Sequence, residues 1–197
     1  MIKNSLESSM WQMKVKYKQM KALLIIDMQK GSFTPATPRF DAGNVIDRIN
    51  QLAEKFRQIK RPVIYIQHDG TSAGEFIKGT HDWEVLDALQ KCTSDIFINK
   101  YANDCFYNSE LKSTLDKLGV SELYITGCAT DFCVEATIQS ALTKEYNITV
   151  ISNAHTTGDR PHLKAKKIIE HYNWVWQNML PTKGQVSVKT MEEVLIQ

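Results

Sequence analysis

The chain has 197 residues, 43% of them hydrophobic, enough to bury one sizeable core and suited to a single α/β domain. Its 24 basic and 22 acidic residues leave a net charge of +2, too balanced to imply a nucleic-acid or membrane partner. No stretch approaches the roughly 20 apolar residues of a membrane span.

Residues 1–20 read as an N-terminal extension and residues 21–197 as the domain, with the basic run Lys14, Lys16, Lys18 and Lys21 before the first strand expected to be solvated. The extension lacks the continuous apolar core of a secretory signal. Cys92, Cys105, Cys128 and Cys133 contain no CxxC pair, so free thiols of a cytoplasmic protein are expected rather than disulfides or a zinc site.

From Ala22 onward, apolar runs alternate with helical patterns, the mark of βαβ units and a parallel sheet. The first strand, Ala22–Ile26, has no polar interruption, as a strand covered on both faces requires. After a Gly/Pro/Thr-rich loop, Val45, Ile46, Ile49, Leu52, Ala53, Phe56 and Ile59 recur at helical spacing. Pro62 stops that helix and Val63–Gln67 is the second strand. A long loop over residues 68–80 precedes helix-like spacing from Trp83 to Leu89, then a third strand over Asp95–Asn99. Leu111, Leu115 and Leu118 share a helix face closed by Gly119 as a left-handed cap. Glu122–Thr126 is the fourth strand, and a helix is expected from near Asp131. The fifth strand is Ile148–Ser152, and Pro161 suits the first turn of a helix running to about Tyr172. Gln185–Lys189 and a short terminal helix finish the chain, with Trp174 and Trp176 left as interface or core residues.

In an open parallel sheet, functional groups gather beyond the carboxyl ends of the strands. Asp27 and Lys100 stand immediately after strands one and three, and Cys133 follows strand four by a tight turn. A helix start at Cys133 favours a thiolate, and its free N–H groups, with that of Ala129, suit an oxyanion. Asp27 is placed to take the thiol proton and later activate water, while Lys100 offsets two neighbouring anions. The first strand runs into Asp-Met-Gln-Lys-Gly rather than G-x-G-x-x-G, so a dinucleotide-binding reading lacks its phosphate cradle.

Three segments resemble the isochorismatase-like cysteine hydrolases, a group that includes nicotinamidases, N-carbamoylsarcosine amidase and streptothricin-hydrolase-like proteins. They are Leu24-Ile-Ile-Asp-Met-Gln29, Asn99-Lys-Tyr-Ala-Asn-Asp-Cys-Phe106, and Gly127-Cys-Ala-Thr-Asp-Phe-Cys-Val-Glu-Ala-Thr137, the last matching a G-x-x-T-x-x-C-V-x-x-T signature. Asn153-Ala-His-Thr-Thr157 and Ile168-Ile-Glu-His171 fit as well. The resemblance implies a three-layer α/β/α sandwich with a six-stranded, mainly parallel Rossmann-like sheet. It implies Cys133 as nucleophile, Asp27 as base and Lys100 as electrostatic partner. It also implies a cis peptide at Cys128–Ala129 and backbone N–H groups of Ala129 and Cys133 as an oxyanion hole.

The expected activity is cleavage of a small amide-like C–N bond without a cofactor, in a homo-oligomer (a dimer or tetramer) acting on a small molecule. The alternative is an idle ligand-binding or regulatory module of the same fold. Isochorismatases proper lack the cysteine, so Cys133 argues against isochorismate as substrate. Nicotinamidases carry an Asp-x-His metal pattern that Gln67-His68-Asp69 breaks, so no metal is expected; a metal on His68, Asp69 and His81 is the minor alternative. Phe33, His68 and His155 are candidates for the substrate pocket, His155 equally for a supporting role.

Overall fold

A computed structural model describes residues 20–196; Lys14, Lys16 and Lys18 of the N-terminal extension lie outside them. Lys21, expected to be solvated, instead donates to Tyr124 Oη at 2.8 Å and pairs with Glu122 at 3.4 Å. Six strands form one sheet: β1 (Met20–Ile26), β2 (Val63–His68), β3 (Ile96–Lys100), β4 (Val120–Cys128), β5 (Asn147–Thr156) and β6 (Val186–Lys189). Their order is β3-β2-β1-β4-β5-β6, and every neighbouring pair is parallel.

Helix α1 (Ala42–Gln58) and the short α5 (Met191–Leu195) cover one face of the sheet. Helices α2 (Leu111–Lys117), α3 (Glu135–Thr143) and α4 (Ala165–Gln177) cover the other. The uninterrupted apolar run of β1 follows from this layering. Because side chains alternate along a strand, Leu23 and Ile25 enter the α1-side core while Ala22, Leu24 and Ile26 enter the opposite one. In α1, Val45, Ile49, Leu52, Ala53 and Phe56 are buried, as the helical spacing requires, whereas Ile59 caps the helix end and is exposed.

Three segments depart from the sequence pattern. Residues 84–89 are not helical. A 3-10 turn over His81–Trp83 leads into chain that runs antiparallel to the residues beyond β1, with Val85 bridged to Gln29 and Leu86 N–H donating to Met28 O at 3.0 Å. Val85 and Leu89 still reach the core, so their spacing records burial rather than helix. Pro161 lies before α4 rather than in its first turn. Asp159 reaches forward to accept from Ala165 N–H at 2.9 Å, and the helix starts there. The segment Thr130–Val134 is a π-helical turn that passes into α3 at Glu135. Trp176 is fully buried and closes the core, while Trp174 is exposed.

Candidate active site

The sheet order reverses at β1, between β2 and β4, and the crevice beyond the strand ends opens there. Asp27 follows β1, His68 ends β2, Lys100 ends β3 and Cys128 ends β4. Lys100, fully buried, reaches across the edge: its Nζ lies 2.8 Å from Asp27 Oδ2, 3.2 Å from Cys133 Sγ and 2.8 Å from the Ala102 carbonyl. The three chemically suggestive residues thus meet around one ammonium group. Asp27 takes a left-handed backbone (φ 48°), which aspartate tolerates better than most residues. Its Oδ1 is buried and has no hydrogen-bond partner among the described residues.

Each signature position has a local duty. Gly127 has φ 118°, and a Cβ there would sit 2.1 Å from the Ile26 carbonyl oxygen, so β4 can pass β1 only as glycine. The peptide from Cys128 to Ala129 is cis. Thr130 pairs with His155 Nδ1 at 2.8 Å, and Val134 is a core residue. Thr137 donates to the Cys133 carbonyl at 2.6 Å and accepts from Cys105 N–H at 3.2 Å, fastening the lysine loop to the cysteine turn. Gln29 does the same for the first motif. Its amide donates to the His68 and Trp83 carbonyls and accepts from His68 N–H at 2.7 Å.

A helix start at Cys133 favoured a thiolate, and the structure reverses that expectation. Burial pushes the Cys133 pKa up, the charge of Asp27 pushes it further, and the pull of Lys100 in the other direction is smaller. Burial works against the Lys100 ammonium, but Asp27 and the neighbouring sulfurs outweigh it, and its pKa is raised. The resting site is therefore a thiol beside a carboxylate–ammonium pair. The thiol points to Asn103 Oδ1 at 3.6 Å while its sulfur accepts from Lys100.

These groups open on a cavity of about 240 Å³, whose wall includes Asp27, His68, Cys128, Ala129 and Cys133. Burial, then the charge of Lys100, lowers the His68 pKa, so the ring is neutral at pH 7. Phe33 and His155, both pocket candidates from sequence, are not on the wall. Phe33 packs against the α1-side core. His155 is almost fully buried and stands in register with Gly127, just past the shift in register between β4 and β5. Its Nε2 meets Asn173 Oδ1 at 3.0 Å, and burial lowers its pKa to about 4. The Asn173 amide nitrogen already donates to the Ser152 carbonyl, so Nε2 carries the proton and Nδ1 accepts from Thr130. The ring supports the cysteine turn from beneath.

His68, Asp69 and His81 do not converge. Asp69 accepts from the Thr71 hydroxyl and His81 is exposed beside Asp82, and no metal-competent group of three acidic, Cys or His residues occurs among the described residues. Sequence reasoning missed Ser32, Arg39, Phe76, Asn103, Phe132 and Arg160 on the wall. Asn103 was readable in principle, three residues after Lys100 in the same motif. Phe132 was equally readable, next to Cys133 in the signature segment; Ser32, Arg39, Phe76 and Arg160 stand in connecting segments whose path no periodicity reveals.

Residues 21–176 match a model of the isochorismatase domain. Streptothricin hydrolase of Streptomyces noursei is 29% identical over 140 residues, 71% of this chain and 51% of that protein. Ureidoacrylate amidohydrolase RutB of Methylobacterium radiotolerans is 39% identical over 101 residues, 50% of this chain and 39% of that protein. The chain thus spans about half the length, or less, of these two relatives. A solved isochorismatase family protein superposes with a TM-score of 0.79 at 30% identity, covering 86% of this chain and 98% of that one. The fold, the strand-end motifs and these matches agree: the chain belongs to the isochorismatase family.

Proposed function

We propose that this protein is a cysteine hydrolase that cleaves a small amide-like C–N bond through a thioester on Cys133. The observation that carries the reading is the Lys100 ammonium, bonded at once to Asp27 and to the Cys133 sulfur, with the second Asp27 oxygen unpartnered at the cavity wall. The names of the two curated relatives, a hydrolase and an amidohydrolase, support the reaction class.

In the first step, Asp27 Oδ1 takes the thiol proton as Sγ attacks the carbonyl carbon, and Lys100 neutralises the charge arriving on sulfur. The backbone N–H groups of Ala129 and Cys133 hold the oxyanion. Collapse breaks the C–N bond, and the proton on Asp27 passes to the departing nitrogen. Asp27 then deprotonates a water that attacks the thioester, the acid leaves, and the proton returns to Cys133. A thiol that rests protonated suits this cycle, because the nucleophile forms only when its base is beside it. No metal or organic cofactor enters the scheme, and isochorismate is not the substrate we assign.

Four free thiols support a cytoplasmic setting, and no helix among the described residues is long and apolar enough to cross a membrane. We assign a homo-oligomer, with the exposed Phe132 and Trp174 as candidate contact residues; light scattering on the purified chain tests that assignment. The activity is tested by a screen of small amides, carbamoyl compounds and lactams read by ammonia or amine release, with Cys133→Ser as the blank. Release by the parent and none by the variant is expected. Equal release by both removes Cys133 from the mechanism.

A further inference from the structure

The ionic groups on the cavity wall pair off, with one exception. Asp27 is held by Lys100, and Arg160 grips Asp131 through Nε at 2.8 Å and Nη2 at 2.9 Å. Arg39 has no carboxylate partner among the described residues. Its Nε donates to the Ser32 carbonyl at 2.7 Å, which anchors the side chain, and its terminal nitrogens meet no acceptor among the described residues. Gly158 leaves the room for this. A Cβ there would lie 3.2 Å from Arg39 Nη1, so any larger residue presses on the guanidinium.

With both ion pairs neutral, the wall carries one uncompensated positive charge, and it sits at the end of a planar two-nitrogen fork. A carboxylate matches that fork with two parallel hydrogen bonds and cancels the charge. A phosphate, at about −1.5 to −2, would bring more charge than the wall can balance. The cavity, about 240 Å³, limits the ligand to a small molecule.

We propose that the cavity takes small amides that also bear a carboxylate, with Arg39 gripping the carboxylate and leaving the amide carbonyl to Cys133. The proposal rests on the hydrolase reading for the fate of the amide, but not for recognition of the acid.

The test is calorimetric titration of the Cys133→Ser protein with succinamate and with its neutral diamide, succinamide. Succinamate is expected to bind about tenfold or more tightly, as one charge-assisted pair contributes. Adding Arg39→Gln should erase the difference, and Arg39→Lys should restore part of it, since a lysine keeps the charge and loses the fork. Thermal melts confirm that the variants fold. Equal affinities, no binding of either compound, or a preference that survives Arg39→Gln in folded protein would overturn the proposal. An Arg39-dependent preference without ammonia release by the parent enzyme would sink the hydrolase reading alone. Ammonia release from succinamide and succinamate with equal affinity would sink the carboxylate alone.

Discussion

Replacing Lys100 with methionine removes an ammonium that three acceptors share: Asp27 Oδ2, the Ala102 carbonyl and Cys133 Sγ. Methionine nearly preserves the volume, so the change is mainly electrostatic. What remains is a buried carboxylate without its cation, and breaking a buried pair in this way costs about 3–5 kcal/mol. That is a large fraction of a typical stability of about 5–15 kcal/mol. The double variant Asp27→Asn/Lys100→Met removes both charges and should recover about 2 kcal/mol or more relative to the sum of the single variants. Urea unfolding at pH 7.5 measures all three proteins. The pH dependence gives a second arm with a defined sign. The folded pKa of Lys100 is raised above its ordinary 10.5, so the stability it lends is complete below that pH. That contribution is lost as pH climbs through the higher folded value, and Lys100→Met should lack this part of the alkaline decline. A single-variant loss below about 1 kcal/mol, or strict additivity in the cycle, would refute the shared-ammonium reasoning.

Two further outcomes follow from the thiols and from His155. Cys92 is exposed and its pKa is lowered by bonds from the Ser94 backbone and side chain, whereas that of Cys133 is raised. Iodoacetamide at pH 7.5 should therefore label Cys92 before Cys133 in resting enzyme; mass mapping that finds Cys133 labelled first would contradict a protonated resting thiol. His155 is buried neutral, with its pKa lowered to about 4 from 6.5. The unfolded chain binds the extra proton first, so His155 makes stability fall as pH drops from 6.5 to 4, by up to about 3 kcal/mol. His155→Gln should flatten that limb of the stability curve, and an unchanged slope would show that the ring titrates elsewhere.

The motifs named Asp27, Lys100 and Cys133, and the parallel sheet explains why: Asp27 is the first polar residue after the apolar β1, Lys100 is the last residue of β3, and the turn that holds Cys133 leaves β4 at the same edge. The layering was equally plain in the even and odd positions of β1. Residues 83–89 misled because burial of Val85 and Leu89 imitates a helical period while the backbone pairs with the chain after β1. The charge state of Cys133 was not legible either. Helix position argues for a thiolate, but the balance between burial and two opposed neighbours depends on distances that spacing does not carry. The same holds for Arg39, which is one arginine among many until its lack of a carboxylate partner is seen.

The central claim is that Cys133 becomes covalently acylated. Wild-type enzyme, quenched in acid while turning over an amide found by the screen, should carry the acyl mass on the peptide containing Cys133, and Cys133→Ser should carry none. Enzyme free of adduct during turnover, together with a Cys133→Ser variant that keeps the parent rate, would contradict the account.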